Sequence, residues 1–265
     1  MRYVRMLLIH FEDALAERSR SFVWFLIALI NPLMLLLFWR GAILEKPDAY
    51  GQWNIPSIMS YYLLLIIAGA FLQVHIDEKI AYSDIQQGQL ANYLTRPFSY
   101  LLWNFFIELP YRVIQGSFGL IVFLAGTVLF GNIVAIASDP IILLLAAIVI
   151  LLGYLLSFFF KIILGLSALW TTDFSGLTNF IEVITLVFGG FVMPVHLFPV
   201  VFQRISFTLP FAYMFYFPIV SVAGKLTPVE LFGVITIQLL WLGGLVCVYH
   251  LVWKRGIRLF TAIGQ

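Results

Sequence analysis

Long apolar runs alternate with short polar breaks along most of this chain, and the runs have helical length rather than the two-residue alternation of strands. Five are read directly: about Phe22 to Phe38, Pro56 to Val74, Val113 to Phe130, from Ile141 past Phe160, and Leu177 to Val192. A sixth ends at Trp253 and opens on Thr227-Pro228-Val229-Glu230, a capping box with proline at the first helical position. Ser138-Asp139-Pro140 supplies the same kind of start for the fourth. Asn31-Pro32 predicts a kink in the first, and Lys161 is expected to snorkel from the fourth to headgroups, before a turn over Thr171 to Gly176.

The segments between the runs differ in kind. In residues 1–21 the apolar positions Val4, Leu7, Leu8, Phe11 and Leu15 recur at three- and four-residue steps. That spacing predicts an amphipathic helix lying in the membrane interface, with an ordinary solvated leader as the alternative. Leu101 to Pro110, broken by Glu108-Leu109-Pro110, predicts an interfacial approach helix ahead of the third crossing. From Met193 to Pro218 come prolines at 194, 199, 210 and 218 among many aromatic residues, so residues 193–218 are expected to form short re-entrant helices rather than a straight span.

Composition agrees with this pattern. With 62% hydrophobic and 11% charged residues and a mean hydropathy of +1.02, the chain is an all-α integral membrane protein with no room for a sizeable soluble domain. Glu12, Asp13 and Glu17 argue against a cleaved secretory signal, so the first span is expected to be retained. The net charge of +2 gives no reason to expect nucleic acid, and Cys247 stands alone, which excludes an internal disulfide. Six crossings put both termini on one side. That side holds Arg2, Arg5, Arg18, Arg20, Lys79, Arg96, Arg112, Lys161, Lys254, Arg255 and Arg258, against Arg40, Lys46, Arg204 and Lys225 on the other, so the termini are expected in the cytoplasm.

Catalytic chemistry does not converge. His10, His75, His196 and His250 fall in four segments without ligand spacing, so neither a metal site nor a catalytic residue is assigned, and no phosphate-cradling G-x-x-x-x-G-K-[ST] loop is present. The carboxylates within apolar runs, Glu108, Glu182 and Glu230, each lie near a predicted end. Uncharged polar residues within the spans, among them Asn31, Asn179, Thr185 and Gln238, more often join helices than bind ligand. Walls of Phe, Leu and Ile with sparse amides and hydroxyls suit a lipid-like, amphipathic or drug-like cargo.

One polar island remains, Ile76 to Tyr100. It carries Asp77, Glu78, Lys79, Asp84, Gln86, Gln87, Gln89, Asn92 and Arg96, more than a turn between spans needs. The string Ile85-Gln86-Gln87-Gly88-Gln89-Leu90-Ala91-Asn92-Tyr93-Leu94-Thr95-Arg96-Pro97 is similar to the segment after the second span in permease subunits of type-2 ABC exporters, and the chain resembles their small six-span subset over its whole length, as one transmembrane permease domain. The resemblance implies an amino-terminal interfacial elbow and a cytoplasmic coupling segment, residues 76–100, docked on a separate ATPase subunit. That partner, expected in two copies, would bind ATP and Mg, with none held by this chain. On this reading Asp84, Gln86, Gln87, Gly88, Gln89 and Arg96 contact the ATPase. Two permease chains, identical or homologous, would pair in a prokaryotic plasma membrane around a path lined by Asn31, Asn179, Thr185 and Glu182, closed outside by Phe198, Phe202, Phe207 and Phe211. A membrane scaffold, and a lipid-modifying enzyme, are the alternatives from other classes.

Overall fold

The structure, a computed structural model, describes residues 2–45, 53–130, 136–171 and 173–260; Lys46 and Thr172 lie outside them. Among the described residues the chain is helical, without strands. Helix α1 (Arg2–Ala16) is followed by α2 (Arg18–Glu45), α3 (Ile55–Leu72), the single turn α4 (Ile76–Glu78), a π-helix (Lys79–Gln86) and α5 (Leu90–Leu94). Then come α6 (Tyr100–Phe130), α7 (Pro140–Leu166), α8 (Phe174–Phe188), α9 (Val200–Thr208), α10 (Pro210–Met214), α11 (Tyr216–Val222) and α12 (Pro228–Gly256).

Local chemistry explains the starts of the long helices. Asn54 accepts from the Ser57 amide at 3.0 Å, and Asp139 from the Ile141 amide at 2.8 Å, each with proline in the first turn. At α12 the capping box is complete: Glu230 Oε2 accepts from the Thr227 amide at 2.8 Å, and Thr227 Oγ1 accepts from the Glu230 amide. One sequence expectation gives way. Helix α2 runs on through Asn31-Pro32, but Pro110 lies inside one 31-residue helix, so no separate approach helix precedes the third crossing. A buried proline costs one backbone donor, and packed neighbours let the helix continue through it.

Among the described residues five helices are long and apolar enough to cross a membrane: α2, α3 with its continuation, α6, α7 and α12. Tyr100 stacks on Trp253 at 4.8 Å and His10 meets Trp103 edge-on at 5.2 Å, so α1, the start of α6 and the end of α12 share one end of the bundle, here called proximal. Helix α8 begins there, with Phe174 against Tyr82 of the π-helix at 5.6 Å. It is only 15 residues long, about 22 Å at 1.5 Å per residue, and so ends short of the distal surface. There the Tyr61 hydroxyl donates to the Gly190 carbonyl at 2.6 Å, and the Tyr62 hydroxyl and Trp39 Nε1 donate to that of Val192 at 2.7 and 3.2 Å.

Helices α9 and α10–α11 then turn by 71° at the Leu209 break. The tip of this pair penetrates the bundle: Gln238 of α12 donates both to the Val149 carbonyl of α7 and to that of Tyr213, at 3.0 and 2.9 Å. The chain regains the distal end where the Ala137 amide donates to the Val222 carbonyl. The segment is re-entrant in form, and α12 returns to the proximal end. Helix α3 is the best-buried long helix, enclosed by α2, α6, α7 and α11, while α2 and α12 expose most of their apolar surface.

Candidate functional site

Backbone geometry first sets the 76–100 segment apart. After α3 ends, residues 73–75 leave helical geometry, α4 makes one turn, and eight residues follow in π form, with the Gln87 amide donating to the Tyr82 carbonyl five residues back. Such runs are rare and concentrate at functional sites. Gly88, at φ 76°, then makes the left-handed turn into α5 that a side chain would oppose.

Three ion pairs and the hydrogen bonds around them fasten this segment to the bundle, although only Asp77–Lys161 is itself a pair between segment and bundle. Lys161 of α7 donates to Asp77 Oδ2 at 2.8 Å and lies 3.8 Å from Glu182 of α8. Lys79 donates to Asp84 Oδ2 at 3.2 Å and to Asn104 Oδ1 at 3.0 Å, and the Tyr100 hydroxyl donates to the same Asp84 oxygen at 2.5 Å. Arg112 pairs with Glu108, one turn before it on α6, at 2.8 Å, and donates to the Gln73 carbonyl at 2.8 Å; Glu108 in turn accepts from the His75 amide at 3.1 Å. Removing charge from water is expensive unless each ion finds a partner, and each of these ions has one; the Asp84 and Arg112–Glu108 groups gain further hydrogen bonds as well. Outside this clamp, Arg96 lies over the faces of Trp103 and Tyr93, 5.1 and 5.5 Å from their centroids, and His10 touches the same Trp103. An aromatic and cationic column thus joins α1 to the segment.

Several sequence expectations change accordingly. Asp84, expected to meet a partner, is fully buried and bonded within the chain, so its carboxylate holds the segment in place and does not face outward. Gln87, Gln89 and Arg96 are exposed, Gln86 and Gly88 half-buried. Lys161 does not snorkel; it is 8% exposed because Asp77 reaches it within the bundle. Asn31 and Asn179 are exposed on α2 and α8, Thr185 is half-buried with its hydroxyl donating to the Ile181 carbonyl, and Glu182 is half exposed beside Lys161.

The four phenylalanines expected to form an outer gate are not gathered into one ring. Phe198 and Phe202 meet at 6.3 Å, Phe207 sits with His196 and Phe217, and Phe211 is a core residue against Phe160 of α7 at 5.2 Å. Proline at 210 starts α10 inward, which carries Phe211 into the bundle.

Sequence reasoning passed over Asp77, Glu108, Arg112, Tyr100 and Asn104 as site residues. The usable signal was sign: acids in the island and basic residues near the proximal ends of α6 and α7 fall on one side. Among the described residues no group of three or more His, Cys, Asp or Glu side chains is placed to hold a metal ion.

Comparison with known proteins fits this arrangement. The curated proteins and the solved structures yield no match to the chain. The profile of the ABC-2 family transporter proteins matches residues 29–264, which takes in the long helices from midway along α2, the 76–100 segment and the re-entrant pair. The chain therefore belongs to the ABC-2 transporter family and is a membrane-spanning subunit of an ABC transporter.

Proposed function

We propose that this chain exports a lipid-like, amphipathic or drug-like substrate by docking two copies of a separate ATPase on its 76–100 segment, with ATP and Mg bound by that partner. The observation that carries the reading is the clamp. A segment of unusual backbone geometry is fixed to α7 by the buried Asp77–Lys161 pair and to α6 by hydrogen bonds from or to charged side chains, while Gln87, Gln89 and Arg96 remain exposed. Rigid attachment inward and polar exposure outward are what a force-receiving surface needs. A second permease chain, identical or homologous, would complete the path against the exposed apolar faces of α2 and α8, with the proximal end and both termini in the cytoplasm of a prokaryotic cell.

Co-purification with the ATPase encoded beside this chain tests the reading. Arg96→Glu combined with Gln89→Glu places like or unpaired charge on the docking face and should lower recovered ATPase by about tenfold or more, with membrane insertion unchanged. Full recovery of an active complex from this variant would place the docking surface elsewhere.

A further inference from the structure

Lys161 stands between two carboxylates from elements that differ in role. Asp77 opens the 76–100 segment and is 1% exposed; Glu182 is the sole charged residue of α8 and is half exposed. The contacts are unequal, 2.8 Å to Asp77 Oδ2 and 3.8 Å to Glu182 Oε1. The first is held in register by close backbone approach: a Cβ on Gly165, one turn beyond Lys161, would lie 2.9 Å from the Asp77 carbonyl oxygen and 2.8 Å from Ile80 Cβ. Helix α4 therefore cannot move against α7 without disturbing the Asp77–Lys161 pair. An ammonium carries three donors on a flexible stem, so a small displacement of α4 shifts its share of charge from one carboxylate to the other. In surroundings of low dielectric that exchange acts over several ångströms, unlike an apolar contact.

Glu182 is placed to receive it. Phe180 and Val183 beside it are exposed and apolar, and α8 leads through Gly189 and Gly190 into the re-entrant pair. We infer that Lys161 is a positioning residue that passes displacement of the 76–100 segment to α8. When α4 is drawn from α7, Lys161 leaves Asp77 for Glu182 and pulls α8 toward α7; when α4 returns, α8 is released. The relay rests on the ATPase-docked reading above.

The test uses the complex of this chain with its ATPase, in a Cys247→Ser background carrying Val183→Cys on the exposed face of α8. Maleimide labelling of that cysteine is compared without nucleotide and after trapping with ATP, Mg and vanadate, and hydrolysis is measured in the same samples. A several-fold nucleotide-dependent change in labelling is expected in this background. Glu182→Gln should abolish it while complex recovery and ATP hydrolysis persist, and Lys161→Arg, which keeps charge and reach, should retain it. Retention of the full change in Glu182→Gln would overturn the relay and leave a packing contact only. Hydrolysis without any labelling change in the background would also overturn it, leaving the docking reading intact. Absence of an ATPase complex would remove both.

Discussion

The proximal clamp and the distal re-entrant pair are both places where the helical ladder is broken, and they are repaired by different chemistry. At residues 73–75 the repair is mainly charged, Arg112 on the Gln73 carbonyl and Glu108 on the His75 amide with the Ser157 hydroxyl on the Val74 amide, and just beyond it Lys161 and Lys79 hold the Asp77 and Asp84 side chains. Around residues 189–214 it uses neutral donors, the hydroxyls of Tyr61 and Tyr62, the indole of Trp39 and the amide of Gln238, all aimed at carbonyls of the broken backbone. Depth accounts for the difference. Backbone freed inside the hydrocarbon needs a partner that is itself cheap to bury, and an uncharged hydroxyl or amide qualifies. At the membrane edge ions are tolerable, and they fix a segment more stiffly and with selectivity for sign.

The largest expected effect comes from splitting an ion pair in the clamp. Glu108→Ala leaves Arg112 buried without its carboxylate and should cost about 3–5 kcal/mol, read as a lowered thermal unfolding midpoint of the purified protein. Replacing both partners, Glu108→Leu with Arg112→Met, removes the stranded charge and should recover much of the loss. A double variant no more stable than the single would mean that the pair, and not charge left over, supplies the stability, and the contrast with the neutral repair would weaken.

At the distal break the effects should be smaller. Gly190 has φ +89°, and a Cβ there would lie 2.6 Å from the Tyr61 hydroxyl that bonds its own carbonyl. Gly190→Ala combines left-handed strain with displacement of that donor, about 1–3 kcal/mol. Tyr61→Phe removes only the hydrogen bond and should cost about 1 kcal/mol. Equal losses in the two variants would show that the turn is not strained by a side chain.

How much of this was legible in the sequence follows the same division. The helical class, the amphipathic pattern of α1, the caps at Asp139 and Thr227 and the broken character of residues 193–218 are local, because spacing, caps and proline act within a turn or two. Gln238 was read as a residue that joins helices, and it joins α12 to α7 and α10. The clamp was not legible. Lys161 and Asp77 are 84 positions apart, and a lone lysine in an apolar run reads equally well as snorkelling until its partner is placed. Asp84 misled for a related reason: polarity marks a residue as needing a partner and does not say whether the partner lies inside the chain. The division of the four phenylalanines was likewise hidden, since aromatic composition carries no information about which side of a turned helix faces the core.

The smallest expected effect concerns the outer edge of the clamp, where a titratable group meets the aromatic column. His10 of α1 lies 3.5 Å from Asp13 and packs edge-on against Trp103. Partial burial holds its pKa below the ordinary histidine value of 6.5; Asp13 opposes that shift, and Lys79 adds to it. In the unfolded chain the imidazole takes its proton at the ordinary value, so between the two pKa values the unfolded state binds more protons and stability rises with pH. The contribution is whole above the ordinary value and is lost as pH falls through the depressed one. Thermal midpoints measured at about pH 7.5 and about pH 5.5 should therefore fall on acidification, and His10→Phe, which keeps an aromatic edge on Trp103 without the titration, should shrink that fall. The difference between the two proteins isolates His10, because His75, His196 and His250 are common to both. An unchanged or steeper fall in His10→Phe would show that protonation at this edge does not loosen α1, and that the column is held by its rings alone.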